Sequence, residues 1–237
     1  MQSILTLISW GPDGWLDDIA YGVFVTIALA AATLPGGLVV GFLVALAKQS
    51  DERSLRLAGN VYTTIFRGLP ELLTLFLVYY GVQIGLQGLV QLFDPKATIE
   101  VNSFVSGMVA LGVVFSSYAS EVFLSAFRAI PRGQYEGGYA IGLTSGQTMR
   151  LVILPQLVRI ALPGLANLWL ILLKETALVS AIGLSDILRQ AGIAARVTRE
   201  PFVFFALACL IYLGLAMVSS VGIHAIERSV SRSGVKR

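Results

Sequence analysis

The stretch YGVFVTIALAAATLPGGLVVGFLVALA, residues 21–47, contains no charged side chain. An α-helix rises about 1.5 Å per residue, and the hydrocarbon core of a bilayer is about 30 Å thick. A helix over this stretch is therefore long enough to cross that core, and its composition suits lipid better than water. The stretch predicts a membrane-spanning helix.

Four further apolar stretches of similar length follow along the chain. They lie at roughly 70–92, 101–127, 151–173 and 203–226. The 237 residues are 56% hydrophobic and 13% charged, with a mean hydropathy of +0.78. A soluble domain of this size has too much surface to hide that apolar content. The sequence predicts an all-α, polytopic membrane protein with five transmembrane helices in one domain, residues 1–237.

A proline marks the start of the second span. Residues 55–66 are predicted to form a separate amphipathic helix, because Pro70 fits the first turn of the helix that follows. Arg67 and Pro70 then lie at the start of the span. Two interpretations of these residues stay open. They either form a gate, or they form a bend in the chain with an arginine side chain that extends toward the membrane–water interface.

The distribution of basic residues predicts the orientation. With the N-terminus outside, twelve Lys and Arg residues fall on the inner side and five on the outer side. The first eighteen residues hold three Asp and no Lys or Arg. Because loops rich in Lys and Arg stay in the cytoplasm, the N-terminus is predicted to be periplasmic and the C-terminus cytoplasmic. Since the start lacks a basic signal-peptide region, the first span is expected to act as its own targeting signal.

Several classes of function are disfavoured by the residues present. No G-x-x-x-x-G-K-[ST] phosphate-binding loop occurs, and the chain has one cysteine, Cys209, and one histidine, His224. These two cannot supply an intrachain disulfide, a zinc cluster or a credible Ser-His-Asp set. The net charge of +3 lies beside the apolar runs and does not indicate nucleic acid. We predict a chain that is not an enzyme and that binds no cofactor of its own.

The longest polar interval with helix signals is the loop at residues 128–150, which is cytoplasmic in the predicted topology. Pro131 favours a helix start, and Gly142 suits a left-handed helix end. The loop is therefore expected to form a short exposed helix with Glu136 near its positive end. Composition alone leaves two interpretations open. The loop is either an ordinary connection between two spans or a rigid element that contacts a soluble partner.

The spacing in this loop resembles the EAA loop of ABC importer permeases. Residues 136–155 read E-G-G, three residues, G, nine residues, V-x-L-P, where the family has E-A-A, three residues, G, nine residues, I-x-L-P. The departures are Gly137 and Gly138, which cost about 1 kcal/mol each in a helix relative to alanine, and Val152. The resemblance implies a coupling helix that inserts into a groove of an ATPase subunit. The residues implied in coupling are Glu136, Gly137, Gly138, Gly142, Leu154 and Pro155.

Other segments resemble the same family. The segments are Y-T-T-I-F-R-G-L-P at 62–70, Y-A-S-E at 118–121 and K-E-T-A-L-V-S-A-I-G-L at 174–184. Over residues 20–235 the chain is similar to the Q-type permeases of importers for histidine, lysine, arginine and ornithine, and for octopine and nopaline. The resemblance implies the type I ABC importer permease fold in the bacterial inner membrane.

The resemblance also implies a set of partners and a mechanism. A periplasmic solute-binding protein would deliver an amino acid, basic or amino-acid-derived, between two permease subunits. A dimer of ATPase subunits would bind ATP and Mg²⁺ and drive alternating access. The second permease is expected to be a paralogous M-type chain, and a homodimer stays open.

Polar residues inside the spans are the candidate substrate pathway, because a charge in hydrocarbon costs at least about 2.5 kcal/mol and needs a partner or a role. Glu121 either lines the path or pairs with a base such as Arg128. Relatives that bind basic amino acids can carry acids at the positions of Leu168 and Glu175, so Glu175 either binds substrate or pairs with Lys174 or a neighbouring helix. The candidate pathway residues are Tyr118, Glu121, Asn167, Leu168, Glu175 and Thr176.

Two rival functions remain at this level. A secondary transporter or channel would work alone and would usually show an internal repeat, which the sequence lacks. A membrane scaffold would keep the loop but need no polar residues at mid-membrane. Residues 186–201, periplasmic in the predicted topology, are either a docking surface for a binding protein or a solvated loop.

Overall fold

The computed structural model describes residues 4–11, 13–96, 98 and 100–232. Within these ranges the chain is helical and contains no β-strand. In chain order the elements are α1 (Ile4–Leu7), α2 (Leu16–Gln49), α3 (Arg53–Gly68), α4 (Glu71–Gln91), α5 (Ser103–Ala129), α6 (Arg132–Ala140), α7 (Ser145–Thr148), a π-helical turn (Met149–Ile153), α8 (Leu154–Glu175), a 3₁₀ segment (Thr176–Ile182), α9 (Ile187–Thr198) and α10 (Pro201–Arg232).

Five helical segments among the described residues are long and apolar enough to cross a membrane. They are Leu16–Gln49, Glu71–Gln91, Ser103–Ala129, Ser145–Ile182 and Pro201–Ser229. The prediction of five spans is confirmed, although the first and fourth segments are longer than expected. The first segment begins one turn earlier than predicted, and this turn contains Asp17 and Asp18. Negative charges at this position are stabilised by the positive end of the helix dipole.

The core of the bundle is the crossing of α2 and α5, which depends on glycine. A Cβ at Gly41 would lie 2.8 Å from the Ala119 Cβ and 2.9 Å from the Ser116 carbonyl oxygen. At Gly37 a Cβ would lie 2.5 Å from the Phe115 ring. Small residues let two backbones approach this closely, and close packing is what joins helices in lipid, where apolar attraction gives no net drive.

The predicted break before the second span is present. Helix α3 ends at Gly68, and Leu69 has a ψ of 145° because a residue before proline avoids the helical region. Pro70, with a ψ of 130°, is the N-cap of α4 and not a member of its first turn as expected. The amphipathic helix α3 and the span α4 are thus separate helices, as predicted.

The stretch 186–201 is ordered by a buried cap. Asp186 accepts hydrogen bonds from the backbone N–H of Leu188 at 3.3 Å and of Arg189 at 3.0 Å, which begins α9. Burial of the carboxyl group raises the pKa of Asp186 to about 6, although these hydrogen bonds act to lower it. Helix α9 packs its apolar face, including Ala191 and Ala194, against α10. This stretch is therefore mainly a packed helix, not an open loop.

Two spans leave most of their apolar surface uncovered. Helices α4 and α10 expose large hydrophobic side chains along their lengths, among them Leu77, Ile84, Leu89, Leu210, Met217 and Val221. Cys209 on α10 is also exposed. Such surfaces suit lipid or another membrane subunit.

Candidate functional site

The loop between the third and fourth spans forms the expected short helix. Pro131 is the N-cap of α6, and Gly142 has a φ of +84° just beyond its end. The Gly142 N–H donates to the Tyr139 carbonyl and the Leu143 N–H to the Gly138 carbonyl, a paired pattern that closes helix ends on a left-handed glycine. Glu136 is the fifth residue of α6, beyond its first turn. The expectation that Glu136 lies near the positive end of this helix was wrong.

One face of α6 is held against the membrane domain. A Cβ at Gly138 would lie 2.6 Å from the Thr148 Cγ2, so α6 and α7 touch through a glycine. The Gln156 Nε2 of α8 donates to the Gln134 Oε1 at 3.0 Å. Tyr135 packs against the hydrophobic core. Helix α6 is therefore in direct contact with the segment that leads into the fourth span.

The other face of α6 and its surroundings are free. Glu136 is exposed, and the large apolar side chains of Tyr139, Ile141 and Leu151 lie exposed on the same loop. Large apolar side chains exposed together are typical of a contact surface for another protein.

The end of the loop pattern, V-x-L-P at residues 152–155, coincides with a change in helix geometry. The segment Met149–Ile153 is π-helical, and Pro155 follows near the start of α8. Proline has no N–H to donate to the carbonyl four residues earlier, and a π turn accommodates that missing bond without breaking the helix. Helix α7, the π-helical turn, α8 and the 3₁₀ segment thus form one continuous rod from Ser145 to Ile182.

The two glycines of the loop are expected to respond differently to alanine. Gly137→Ala meets nothing within 4 Å and should favour the helix by about 1 kcal/mol, so the ATP-driven transport that the resemblance of this loop implies should be kept. Gly138→Ala places its methyl against Thr148, so α6 must shift and ATP-driven uptake should fall severalfold. Uptake into vesicles at equal protein levels is the measurement.

A second-site change separates this clash from a general defect. Thr148→Ala removes both side-chain atoms that a Cβ at Gly138 would approach within 3.0 Å. The Thr148 hydroxyl is buried and has no hydrogen-bond partner among the described residues. We expect Thr148→Ala to restore uptake to Gly138→Ala, and equal uptake by the two glycine variants would contradict the packing argument.

Glu121 lies between two bases from neighbouring helices. Its carboxylate forms a salt bridge with Lys48 of α2 and a second one with Arg67 of α3, whose Nη1 lies 3.3 Å away. The suggested pairing with Arg128 was wrong, because seven residues of helix separate the two groups by about 10 Å. Lys48 also donates to the Thr63 hydroxyl at 3.1 Å, so three helices are joined here.

Two more acids and a tyrosine complete what we call the polar cluster. The Arg67 guanidinium lies 5.5 Å from the centre of the Tyr118 ring. The carboxyl groups of Glu71 and Glu175 lie close to each other. Arg67, Glu71 and Glu175 all lie within electrostatic range of the Tyr118 hydroxyl. The polar cluster consists of Lys48, Arg67, Glu71, Tyr118, Glu121 and Glu175.

The remaining candidate pathway residues lie elsewhere. Leu168 packs inside the hydrophobic core, and Thr176 is buried with its hydroxyl donating to the Leu173 carbonyl. Asn167 is exposed outside the polar cluster. Sequence reasoning missed Lys48 and Glu71 as members, although a base ending an apolar run and an acid directly after Pro70 were available as signals.

Comparison with known proteins places this arrangement in a family. The family described as "Binding-protein-dependent transport system inner membrane component" matches residues 37–232. The nopaline transport system permease of Agrobacterium fabrum is 42% identical over 96% of this chain and 97% of its own. The histidine/lysine/arginine/ornithine transport system permease of Salmonella typhimurium is 38% identical over 94% of this chain and 97% of its own.

Solved structures agree with the sequence relatives. A chain of an amino acid ABC transporter crystallised with histidines is 30% identical, with a TM-score of 0.76 over 91% of this chain and 95% of its own. A chain of the inward-facing MetNI methionine ABC transporter is 18% identical with a TM-score of 0.74 over 90% and 96%, and supports the fold alone. This protein belongs to the family of inner membrane components of binding-protein-dependent transport systems.

Proposed function

We propose that this chain is the transmembrane permease subunit of an ATP-driven ABC importer that moves amino acids, basic amino acids or opines, across the bacterial inner membrane. The observation that carries the proposal is the loop helix α6. It presents Glu136 on a free face while its other face is locked to the rod that contains the fourth span. The family membership and the nopaline and histidine/lysine/arginine/ornithine relatives support the class of solute.

The proposed mechanism is alternating access. In the proposed orientation the N-terminus is periplasmic and α6 is cytoplasmic, where a soluble ATPase can reach it. Closure of two ATPase subunits on ATP and Mg²⁺ moves α6, and the rod carries that motion to the membrane domain. The coupling role falls to Glu136, Gly137, Gly138, Gly142, Leu154 and Pro155, and no cofactor is assigned to this chain itself.

The proposed solute path passes the polar cluster. Among the described residues it is a joint of several helices where intramembrane charges meet. Tyr118, Glu121 and Glu175 are the path residues that this placement supports best. Arg67 and Pro70 lie at the break between α3 and α4, where a bend can open or close the path.

A second permease and a periplasmic binding protein complete the proposed importer. The uncovered apolar faces of α4 and α10 leave room for another membrane subunit. We propose a paralogous M-type partner, with a homodimer as the alternative to be distinguished by the composition of the purified complex.

The test is uptake by the reconstituted importer. Liposomes containing this chain, its partner permease and the ATPase, with binding protein outside and ATP inside, should accumulate labelled arginine, and histidine, octopine or nopaline should compete. Uptake by this chain alone, driven by an ion gradient, would favour the secondary transporter. A complete complex that moves none of these solutes would favour the scaffold.

A further inference from the structure

One carboxylate oxygen in the polar cluster is paired with two positively charged side chains. Glu121 Oε1 is the partner of both the Lys48 ammonium and the Arg67 guanidinium. The Lys48 side chain is 7% exposed and is also held by Thr63, whereas the Arg67 side chain is 44% exposed. Lys48 alone can neutralise Glu121, so Arg67 can release that oxygen without leaving a carboxylate unpaired.

We propose that Arg67 is the residue that binds the α-carboxylate of the transported amino acid, an inference that rests on the proposed function. A solute carboxylate is bound best by a guanidinium, because two parallel N–H groups meet its two oxygens. The group must also be exposed to the path and free to exchange its partner. Among the bases of the polar cluster, Arg67 meets these conditions and the enclosed Lys48 does not.

The surroundings of Arg67 favour an anion beside its guanidinium. The guanidinium lies over the Tyr118 ring, 5.5 Å from its centre, a contact that attracts the cation without using its N–H donors. The next helix, α4, begins four residues later after an N-cap, Pro70, that offers no side-chain acceptor. Helix starts at breaks within transporters carry partial positive charge that suits solute carboxylates.

The acids of the polar cluster give the solute its other contact. Glu71 and Glu175 lie close to each other and, with Arg67, near the Tyr118 hydroxyl. A zwitterion lying beside Tyr118 can therefore place its carboxylate on Arg67 and its cationic group on the acid pair.

The test compares ligands that differ only in the carboxylate. The assembled complex of this chain with its partner permease and ATPase, without binding protein, is titrated with arginine, argininamide and agmatine while its thermal unfolding is followed. The wild-type complex should bind arginine more tightly than either analogue. Arg67→Gln should weaken arginine about tenfold to a hundredfold and leave agmatine unchanged, and Arg67→Lys should fall between.

The matched control is Arg128→Gln, which removes an exposed arginine at the end of α5 outside the polar cluster and should leave all three ligands unchanged. Equal weakening of arginine and agmatine by Arg67→Gln would make Arg67 structural only and overturn the inference. So would an unchanged arginine affinity, or a wild-type complex that arginine does not stabilise.

If Arg67→Gln fails to assemble, the same comparison is made with Arg67→Lys. ATP-driven uptake by the wild-type importer tests the proposed function separately, because the result of that measurement does not depend on which residue binds the carboxylate.

Discussion

Glu136→Lys is expected to reduce ATP-driven uptake to background while the chain stays folded in the membrane. Glu136 is exposed on α6 and has no described role in holding the loop, so its loss should not unfold the protein. A reversed charge at a docked surface costs about 2–5 kcal/mol, or roughly thirtyfold to several thousandfold in binding. Co-purification of the ATPase and uptake into vesicles are the two measurements.

A charge reversal of the same kind outside α6 provides the control. Glu52, an exposed acid at the N-cap of α3, lies on the side of the membrane that the predicted topology makes cytoplasmic. Glu52→Lys should keep both ATPase recruitment and uptake near wild-type levels. Normal recruitment by Glu136→Lys would remove Glu136 from the coupling surface.

Gly41→Leu is expected to remove most folded protein from the membrane. A side chain at Gly41 cannot be accommodated at the crossing with α5, because its first carbon would already lie 2.9 Å from the Ser116 carbonyl oxygen. Overpacking of a close contact costs about 1–3 kcal/mol for small additions, and here two backbones must separate. The amount of monodisperse protein recovered in detergent, and its unfolding temperature, measure the effect.

The same substitution elsewhere on α2 controls for helix propensity and hydropathy. A Cβ at Gly36 meets nothing within 4 Å, so Gly36→Leu should fold at near wild-type levels. If the two leucine variants were recovered equally, the α2–α5 crossing would not depend on a close approach at Gly41.

The spans and the loop helix could be predicted because their causes are local. Residues 21–47 are an example. When an apolar stretch is long enough for its helix to cross the hydrocarbon core, a spanning helix is the structure that satisfies its backbone hydrogen bonds in lipid. Pro70 and Pro131 restrict their own backbone and the residue before them, so helix boundaries beside them follow from the sequence. Gly142 marks the end of α6 for a comparable reason, since its positive φ strains other residues.

The charge pairings could not be predicted, because they depend on which helices touch. Lys48 and Glu121 are separated by 73 residues along the chain, and Glu71 and Glu175 by more. Neighbouring charges in the sequence, such as Arg128, were the wrong candidates for that reason. Leu168 was a candidate path residue because relatives can carry an acid at its position, but its side chain packs inside the core.

Cys209 makes the protein suited to spectroscopy without further engineering. It is the chain's single cysteine, and it is exposed on α10, outside α6 and the polar cluster. A thiol-reactive spin label therefore attaches at one position of an otherwise unmodified chain. Its mobility and its accessibility to oxygen distinguish a side chain in lipid from one covered by a neighbouring subunit, and would report whether α10 moves when ATP is added.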